Sequence, residues 1–205
     1  YDTDNTVAAL VATRFGLSYD PYSGNVAMSG RGLANNGGVS AHVFLDHDGD
    51  NVFSEGDENL ELVTIEALQA RRTASTDESG NAFLYNLPTS MATDVRLQES
   101  SFFDPFWVPG FAGISVHPRP GHVTQVDFPI HMAGVIDGTI YARTSAGSTR
   151  ALRNINVHLY NADAKLEQTA PSGFDGYYLL TKVPPGRYFM MIDGKDAKNY
   201  RLIRP

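Results

Sequence analysis

The feature that most constrains the fold of this chain is the alternation of apolar and polar residues with a period of two. It is clear in short stretches such as residues 63–67, 155–159 and 188–192. Side chains with this period lie on opposite faces of a β-strand, whereas a helix needs a period near 3.6. The chain also contains 19 glycines and 11 prolines, which are typical of tight turns between strands. The sequence therefore predicts an all-β protein built from short strands.

The length of 205 residues predicts two small modules after an N-terminal segment, because small all-β modules contain about 100 residues each. Residues 1–36 carry alternating runs on both sides of Asp20-Pro21-Tyr22-Ser23-Gly24, a strong turn signal. They are predicted to form a β-hairpin that pairs with this chain's own sheets or donates a strand to another protein, since an isolated hairpin is marginally stable. The two modules are predicted at residues 37–132 and 133–205.

The two modules are predicted to be divergent copies of one plan. The first contains Thr76-Asp77-Glu78-Ser79-Gly80-Asn81-Ala82-Phe83, and the second contains Ser172-Gly173-Phe174-Asp175-Gly176-Tyr177-Tyr178. Each segment is a polar turn with glycine that leads into a strand with an aromatic residue. This self-similarity is the strongest organisational signal in the chain.

The segment 46–58 is the clearest candidate site, because oxygen-bearing side chains recur at alternate positions of a short loop. A hard cation such as Ca²⁺ binds six to eight oxygens at about 2.3–2.6 Å. Asp57 follows Asp46 by eleven residues, where a closing and bidentate ligand belongs. The predicted calcium ligands are Asp46, Asp48, Asp50, the main-chain carbonyl of Val52, Ser54 (directly or through water) and Asp57.

A solvated acidic turn is the alternative interpretation of this loop. Without a cation, however, its crowded carboxylates would repel one another. Asn51 stands at the sixth position, where an EF-hand has glycine, and asparagine also tolerates a left-handed backbone. No helices are predicted beside the loop, so the expected role is a structural staple and not a switch. Mg²⁺ is the alternative cation, although it prefers fewer protein ligands.

Composition argues against several functional classes. The net charge of −7 disfavours nucleic acid, which needs a basic face. The absence of cysteine rules out disulfides and thiolate metal sites. No apolar stretch approaches the roughly 20 residues of a membrane helix, and the start at Tyr1 predicts a fragment or a processed form. No motif for a catalytic nucleophile or a phosphate-binding loop is present, so the chain is predicted not to be an enzyme.

Two family resemblances follow from these motifs. Residues 43–58, together with Thr76-Asp77 and Leu87-Pro88, resemble the B-type repeats of serine-aspartate repeat adhesins over about residues 40–90. Asp57 replaces the usual glutamate there, and Glu58 replaces the following proline. Asp175-Gly176-Tyr177-Tyr178-Leu179 and Pro185-Gly186-Arg187-Tyr188 are similar to the carboxypeptidase regulatory-like, or transthyretin-like, domain over about residues 134–193.

These resemblances imply tandem immunoglobulin-like or prealbumin-like β-sandwich modules in a bacterial surface protein, stalk or filament. The expected location is extracellular or at the cell surface, with the periplasm as the alternative. The expected partners are neighbouring protein subunits or a surface ligand, with β-strand addition as one mode of contact.

Two other functions remain open. One is an accessory domain of an outer-membrane assembly such as a fimbrial usher. The other is a carbohydrate-binding module that uses the aromatic stretch 102–111, a stretch that would otherwise form an intermodule plug. The candidate contacts for a glycan or another partner are Phe103, Phe106, Trp107 and Phe111.

Overall fold

A computed structural model describes residues 16–20, 24, 26–29, 35–144 and 147–202 of the chain. Its architecture is all-β, as the alternating pattern predicts, with two β-sandwich modules and an N-terminal hairpin. Residues 1–15 of the predicted N-terminal segment lie outside the described residues. None of the helices in the described part of the chain is long and apolar enough to span a membrane.

The strands in the first two thirds of the chain are short, apart from β3 and β11. They are β1 (Gly16–Tyr19), β2 (Val26–Ser29), β3 (Gly37–Leu45), β4 (Glu58–Asn59), β5 (Thr64–Ala67), β6 (Arg72–Ser75), β7 (Asn81–Leu87), β8 (Thr93–Leu97), β9 (Trp107–Pro109), β10 (Ile114–Val116) and β11 (Val123–Met132).

The last third of the chain adds seven strands and a short helix. They are β12 (Gly134–Thr139), β13 (Tyr141–Arg143), β14 (Thr149–Ala151), β15 (Asn156–Asn161), β16 (Leu166–Pro171), β17 (Tyr177–Val183), β18 (Tyr188–Ile192) and α1 (Gly194–Asn199).

The chain divides into two compact units that interleave along the sequence. The first contains the described residues up to Phe44 together with Val52–Phe102 and Phe111–Pro129, and the second contains Leu45–Asn51, Phe103–Gly110 and the described residues from Ile130 onward. Both β3 and β11 therefore begin in the first unit and end in the second. The module boundary predicted between residues 132 and 133 stays a prediction.

The first unit has a four-stranded sheet with the order β10-β8-β5-β6. In its other sheet β3 pairs with β7, from Gly37 opposite Leu87 to His42 opposite Asn81. Large apolar side chains from both sheets are almost completely buried, and this burial is the main force that holds such a unit together. Those at 2% exposure or less include Val39, Ile65, Leu84, Leu87 and Phe128.

The N-terminal hairpin is held to the first unit at its turn. Strands β1 and β2 pair antiparallel, with Leu17 opposite Met28 and Tyr19 opposite Val26. The carboxylate of Asp20, which is only 2% exposed, accepts a hydrogen bond from the Ser40 hydroxyl on β3. A buried carboxylate needs such a partner, so this bond fixes the turn end of the hairpin within the same chain.

The second unit consists of small antiparallel sheets. Strand β12 pairs with β17, β13 pairs with β14, and β16, β15 and β18 form a three-stranded sheet in that order. Its core includes Leu159, Ala170, Leu180 and Val183. The carboxylate of Asp193 caps the N-terminus of α1 and accepts hydrogen bonds from the main-chain N–H groups of residues 195 and 196.

A buried hydroxyl ties two chain segments together in the first unit. Thr76 is 3% exposed. Its Oγ1 accepts a hydrogen bond of 2.9 Å from the Val63 N–H and donates one of 2.6 Å to the Leu60 carbonyl. Its main-chain N–H donates a hydrogen bond of 3.0 Å to the Val63 carbonyl, and its carbonyl accepts one of 3.0 Å from the Leu62 N–H.

The second unit contains the same set of bonds around Ser172. This residue is 2% exposed. Its Oγ accepts a hydrogen bond of 2.9 Å from the Ile155 N–H and donates one of 2.7 Å to the Leu152 carbonyl. Its main-chain N–H donates a hydrogen bond of 2.8 Å to the Ile155 carbonyl, and its carbonyl accepts one of 2.9 Å from the Asn154 N–H.

A glycine turn follows each hydroxyl at the same spacing of four residues. Gly80 has φ of +73° and Gly176 has φ of +82°. Their carbonyls accept hydrogen bonds from Val43 and Ile140, respectively. A Cβ atom would lie 2.5 Å from the Val43 oxygen or 2.6 Å from the Ile140 oxygen, so both the backbone angle and the close approach require glycine.

Candidate functional site

The acidic loop begins directly after β3, and Asp46 organises it. One oxygen of its carboxylate, Oδ1, accepts a hydrogen bond of 2.7 Å from the Gly49 N–H, and Oδ2 accepts one of 2.7 Å from the Asn51 N–H. Gly49 and Asn51 both adopt left-handed backbone angles, with φ of +77° and +63°. The loop therefore folds tightly around a single buried carboxylate, and asparagine does adopt the left-handed conformation that was expected for it.

The carboxylates of Asp46, Asp48 and Asp50 come together in this loop. One ligand oxygen from each residue lies within 4.8 Å of the others. Asp46 is 4% exposed, whereas Asp48 and Asp50 are exposed to solvent. A donor set made only of carboxylate oxygens suits a hard cation such as Ca²⁺ or Mg²⁺. These three residues would hold the cation, and main-chain carbonyls or water would complete its coordination.

The environment of the loop shifts the pKa values of two of these carboxyls in opposite directions. Burial on its own would raise the pKa of Asp46, but the hydrogen bonds from Asn51 and Gly49 and the nearby His131 hold it below its ordinary value. The Asp50 N–H lowers the pKa of Asp48, yet desolvation and the neighbouring carboxylates outweigh this bond and raise it overall. The charge repulsion in the loop therefore falls mainly on the exposed side.

His131 on β11 is a neighbour of this loop that the sequence did not predict. Its Nδ1 lies 3.6 Å from Asp46 Oδ2, and its Nε2 lies 3.1 Å from the amide oxygen of Asn51. Since an amide oxygen only accepts, an Nε2–H group is the donor in this pairing. His131 is separated from Asn51 by 80 positions in the chain, and no local motif signals such a contact.

The other three predicted ligands belong to the first unit, whereas Asp46, Asp48 and Asp50 belong to the second. Asp57 Oδ2 accepts a hydrogen bond of 2.7 Å from the Ser54 N–H, and the Ser54 hydroxyl lies 3.3 Å from the same oxygen. The side chain of Val52 is 61% exposed. Coordination of a cation by Val52, Ser54 and Asp57 stays a prediction.

The aromatic residues proposed as partner contacts are divided between the two units. Phe103 is 94% exposed and Phe106 is 43% exposed. Trp107 is half-buried on β9, opposite Met132 of β11. In the first unit, the ring of Phe111 lies 5.3 Å from that of Phe128. Glycan binding by these residues stays a prediction.

Comparison with known protein sequences gives no match. No protein-family model matches the chain, and neither does any curated protein.

Solved structures with a partial likeness include bacterial pilins. The TIE protein of Bacillus anthracis shares 16% identity over 78% of this chain, with a TM-score of 0.37, and this chain spans 28% of it. The minor pilin GBS52 of Streptococcus agalactiae shares 10% identity over 75% of this chain and 82% of its own, with a TM-score of 0.40. The shaft pilin SpaA of Lactobacillus rhamnosus GG shares 10% identity over 77% and 87%, with a TM-score of 0.36. Likeness at this level assigns no function to this chain.

Proposed function

We propose that this chain is a non-enzymatic structural module of a bacterial surface protein, stalk or filament, and that calcium stiffens it at the loop of residues 46–50. The observation that carries the proposal is the convergence of the Asp46, Asp48 and Asp50 carboxylates, whose ligand oxygens lie within 4.8 Å of one another. The proposed location is extracellular or at the cell surface, and the proposed partners are neighbouring subunits.

The electrostatics of the loop favour a bound cation. Asp48 has a raised pKa because desolvation and the carboxylates of Asp50 and Asp46 outweigh the hydrogen bond from the Asp50 N–H. A divalent cation would replace this repulsion with attraction. Since it would bind the folded loop and not the unfolded chain, it would stabilise folding by about 2.7 kcal/mol at a concentration of 100 times its dissociation constant.

The shared hydrogen bonds support a stalk or spacer built from repeated units. Thr76 and Ser172 make the same four bonds to their own units, and a glycine with positive φ follows each of them. We infer that the two units are divergent copies of one plan. A series of such copies spans distance without needing a catalytic cleft.

Thermal unfolding with calcium and with a chelator tests the role of the loop. The melting temperature of the wild type should rise with free calcium, and Asp48→Ala or Asp50→Ala should remove that rise. Asp163→Ala is the matched control, since Asp163 is an exposed aspartate of another turn and its loss should leave the calcium response intact. An unchanged wild-type melting temperature after chelation, or an equal loss of response in Asp163→Ala, would contradict the proposal.

A second candidate function is carbohydrate binding, and the 94% exposure of Phe103 favours it. Phe106 in the same stretch is also exposed, and a contiguous exposed apolar patch often marks a binding surface. Phe103→Ala and Trp107→Ala should abolish retention on a glycan array if the stretch binds sugar. Retention of no glycan by the wild type would eliminate this function.

A further inference from the structure

The second unit contains a groove of about 890 Å³ that neither proposed function uses. Its walls are β13 with the residues around it, β18, and the C-terminal end of α1 with the residues that follow. The groove has an apolar component, and several of its side chains are exposed, with Tyr141 at 61%, Met190 at 45% and Met191 at 37%. A groove of this size is within the range that holds a ligand or a peptide segment.

The groove runs along β18 and β13, and Arg150 of β14, the partner strand of β13, also reaches it. Met190, Met191 and Ile192 all line it, and so does every residue of β13. Because successive side chains of a strand point to opposite faces, a groove that contacts several residues in a row faces the strand's edge. The five residues of β18 present an edge about 16 Å long.

Each of these two strands ends its sheet on one side. β18 is the last strand of the sheet β16-β15-β18, and β13 belongs to a two-stranded sheet with β14, among the residues that the structure describes. A strand with one unpaired edge has main-chain N–H and carbonyl groups directed outward, which form a template for another strand. The groove therefore has the backbone chemistry needed to accept an extended segment between β13 and β18.

The charge of the groove indicates the chemistry of its occupant. Arg143, Arg150 and Arg201 line it, and no aspartate or glutamate is present among its described lining residues. In a chain of net charge −7, this is a locally basic and apolar site. An extended segment that carries carboxylates together with apolar side chains would complement it.

We propose that this groove accepts residues 2–12 of a second copy of this chain as an added β-strand. That segment reads Asp2-Thr3-Asp4-Asn5-Thr6-Val7-Ala8-Ala9-Leu10-Val11-Ala12. It has two carboxylates, no basic residue and no proline, so its charge complements the arginines and every residue has an N–H group for pairing. This inference deepens the proposed association with neighbouring subunits by naming both the donor and the acceptor.

Two other segments of the chain fit the groove less well. Residues 203–205 follow Leu202, which lines the groove, and their sequence is Ile-Arg-Pro. Their arginine would add positive charge to a basic groove, and their proline lacks the N–H group that strand pairing needs. The hairpin of β1 and β2 is held to its own first unit by the bond between Asp20 and Ser40. Of these three segments, residues 2–12 are therefore the best donor.

Self-association of the full chain tests this proposal. Sedimentation equilibrium should show reversible association that weakens as salt rises, since screening reduces the attraction between arginines and carboxylates. A synthetic peptide of residues 1–13 should dissociate the complex by competition. Arg150→Glu should weaken association by about tenfold, equivalent to about 1.4 kcal/mol, and a mixture with the Asp4→Lys chain should recover it in part. Arg119→Glu is the matched control, because Arg119 is an exposed arginine of the first unit.

Several results would overturn the proposal. A wild-type chain that stays monomeric at its highest soluble concentration, a peptide that does not compete, or an equal weakening by Arg119→Glu would each do so. Peptide binding that appears only after removal of residues 203–205 would show that the chain's own C-terminal residues fill the groove. If the chain stays monomeric but its melting temperature still rises with calcium, only the proposal for the groove is refuted. If the chain associates but its melting temperature does not respond to calcium, only the calcium proposal is refuted.

Discussion

The buried hydroxyl of Thr76 provides the sharpest test of how the first unit is held together. Thr76→Val keeps the shape and the β-branched character of the side chain but removes its hydroxyl. Two main-chain groups then lose a partner: the Val63 N–H, at 2.9 Å from Oγ1, and the Leu60 carbonyl, at 2.6 Å from it. Because Thr76 is 3% exposed, water has little access to either group.

The expected loss of stability follows from these two bonds. A buried donor or acceptor without a partner costs about 1–3 kcal/mol, so the loss of two partners in Thr76→Val should lower the free energy of unfolding by about 2–6 kcal/mol. A typical domain has only about 5–15 kcal/mol in total. Thr76→Ser keeps both hydrogen bonds and removes one methyl group, which costs about 0.8 kcal/mol.

Urea unfolding followed by far-ultraviolet circular dichroism measures this difference. With a slope of about 2 kcal/mol per molar urea, the middle of the usual range, the first-unit transition of Thr76→Val should move to lower urea by about 1–3 M. Ser172→Ala should have a comparable effect on the second unit, because it removes the same two bonds there. If Thr76→Val is no less stable than Thr76→Ser, the hydroxyl does not hold these segments together and the reasoning fails.

Two further predictions concern the glycine turn and the helix cap. In the same urea assay, Gly80→Ala should lower the free energy of unfolding more than Gly121→Ala. Both glycines have positive φ. An added Cβ would lie 2.5 Å from a main-chain oxygen at Gly80, whereas at Gly121 it would meet nothing within 4 Å. Equal losses would show that only the backbone angle matters. The hydrogen bond from His158 is the main cause that lowers the pKa of Asp193. The ionised Asp193 therefore stabilises the folded state. This contribution is fully present above the ordinary pKa of the carboxyl and disappears as the pH falls through the lowered value. Asp193→Asn should therefore reduce the melting temperature at neutral pH and flatten its decline in acid; an unchanged pH profile would contradict this.

Much of the fold was predictable because its signal is local. Burial in β8 alternates strictly, with Thr93, Val95 and Leu97 buried and the two residues between them exposed, as a half-buried strand requires. β3 departs from this pattern, since all nine of its residues are buried. Its polar Ser40 bonds the Asp20 carboxylate. Asp20 lies 20 positions before Ser40 in the chain, so no pattern within β3 predicts that Ser40 is buried.

The same distinction separates the predicted and the missed parts of the sites. Asp46, Asp48 and Asp50 come together because they lie in one tight loop, where spacing determines proximity. His131 reaches that loop from β11, 80 positions after its hydrogen-bond partner Asn51. Among the described residues, the outer edges of β13 and β18 have no partner strand. The sequence could not predict this, because the order of strands in a sheet depends on tertiary structure.

The hydrogen bonds of the acidic loop determine what a cation would change there. Asp46 is buried and ionised because the N–H groups of Gly49 and Asn51 compensate its loss of water. Those bonds shape the loop without a cation. The repulsion that remains falls on Asp48 and Asp50 at the exposed side, where the pKa of Asp48 is raised. Calcium should therefore act on the stability of the loop more than on its conformation, so that binding raises the melting temperature while the circular dichroism spectrum of the folded chain stays nearly constant.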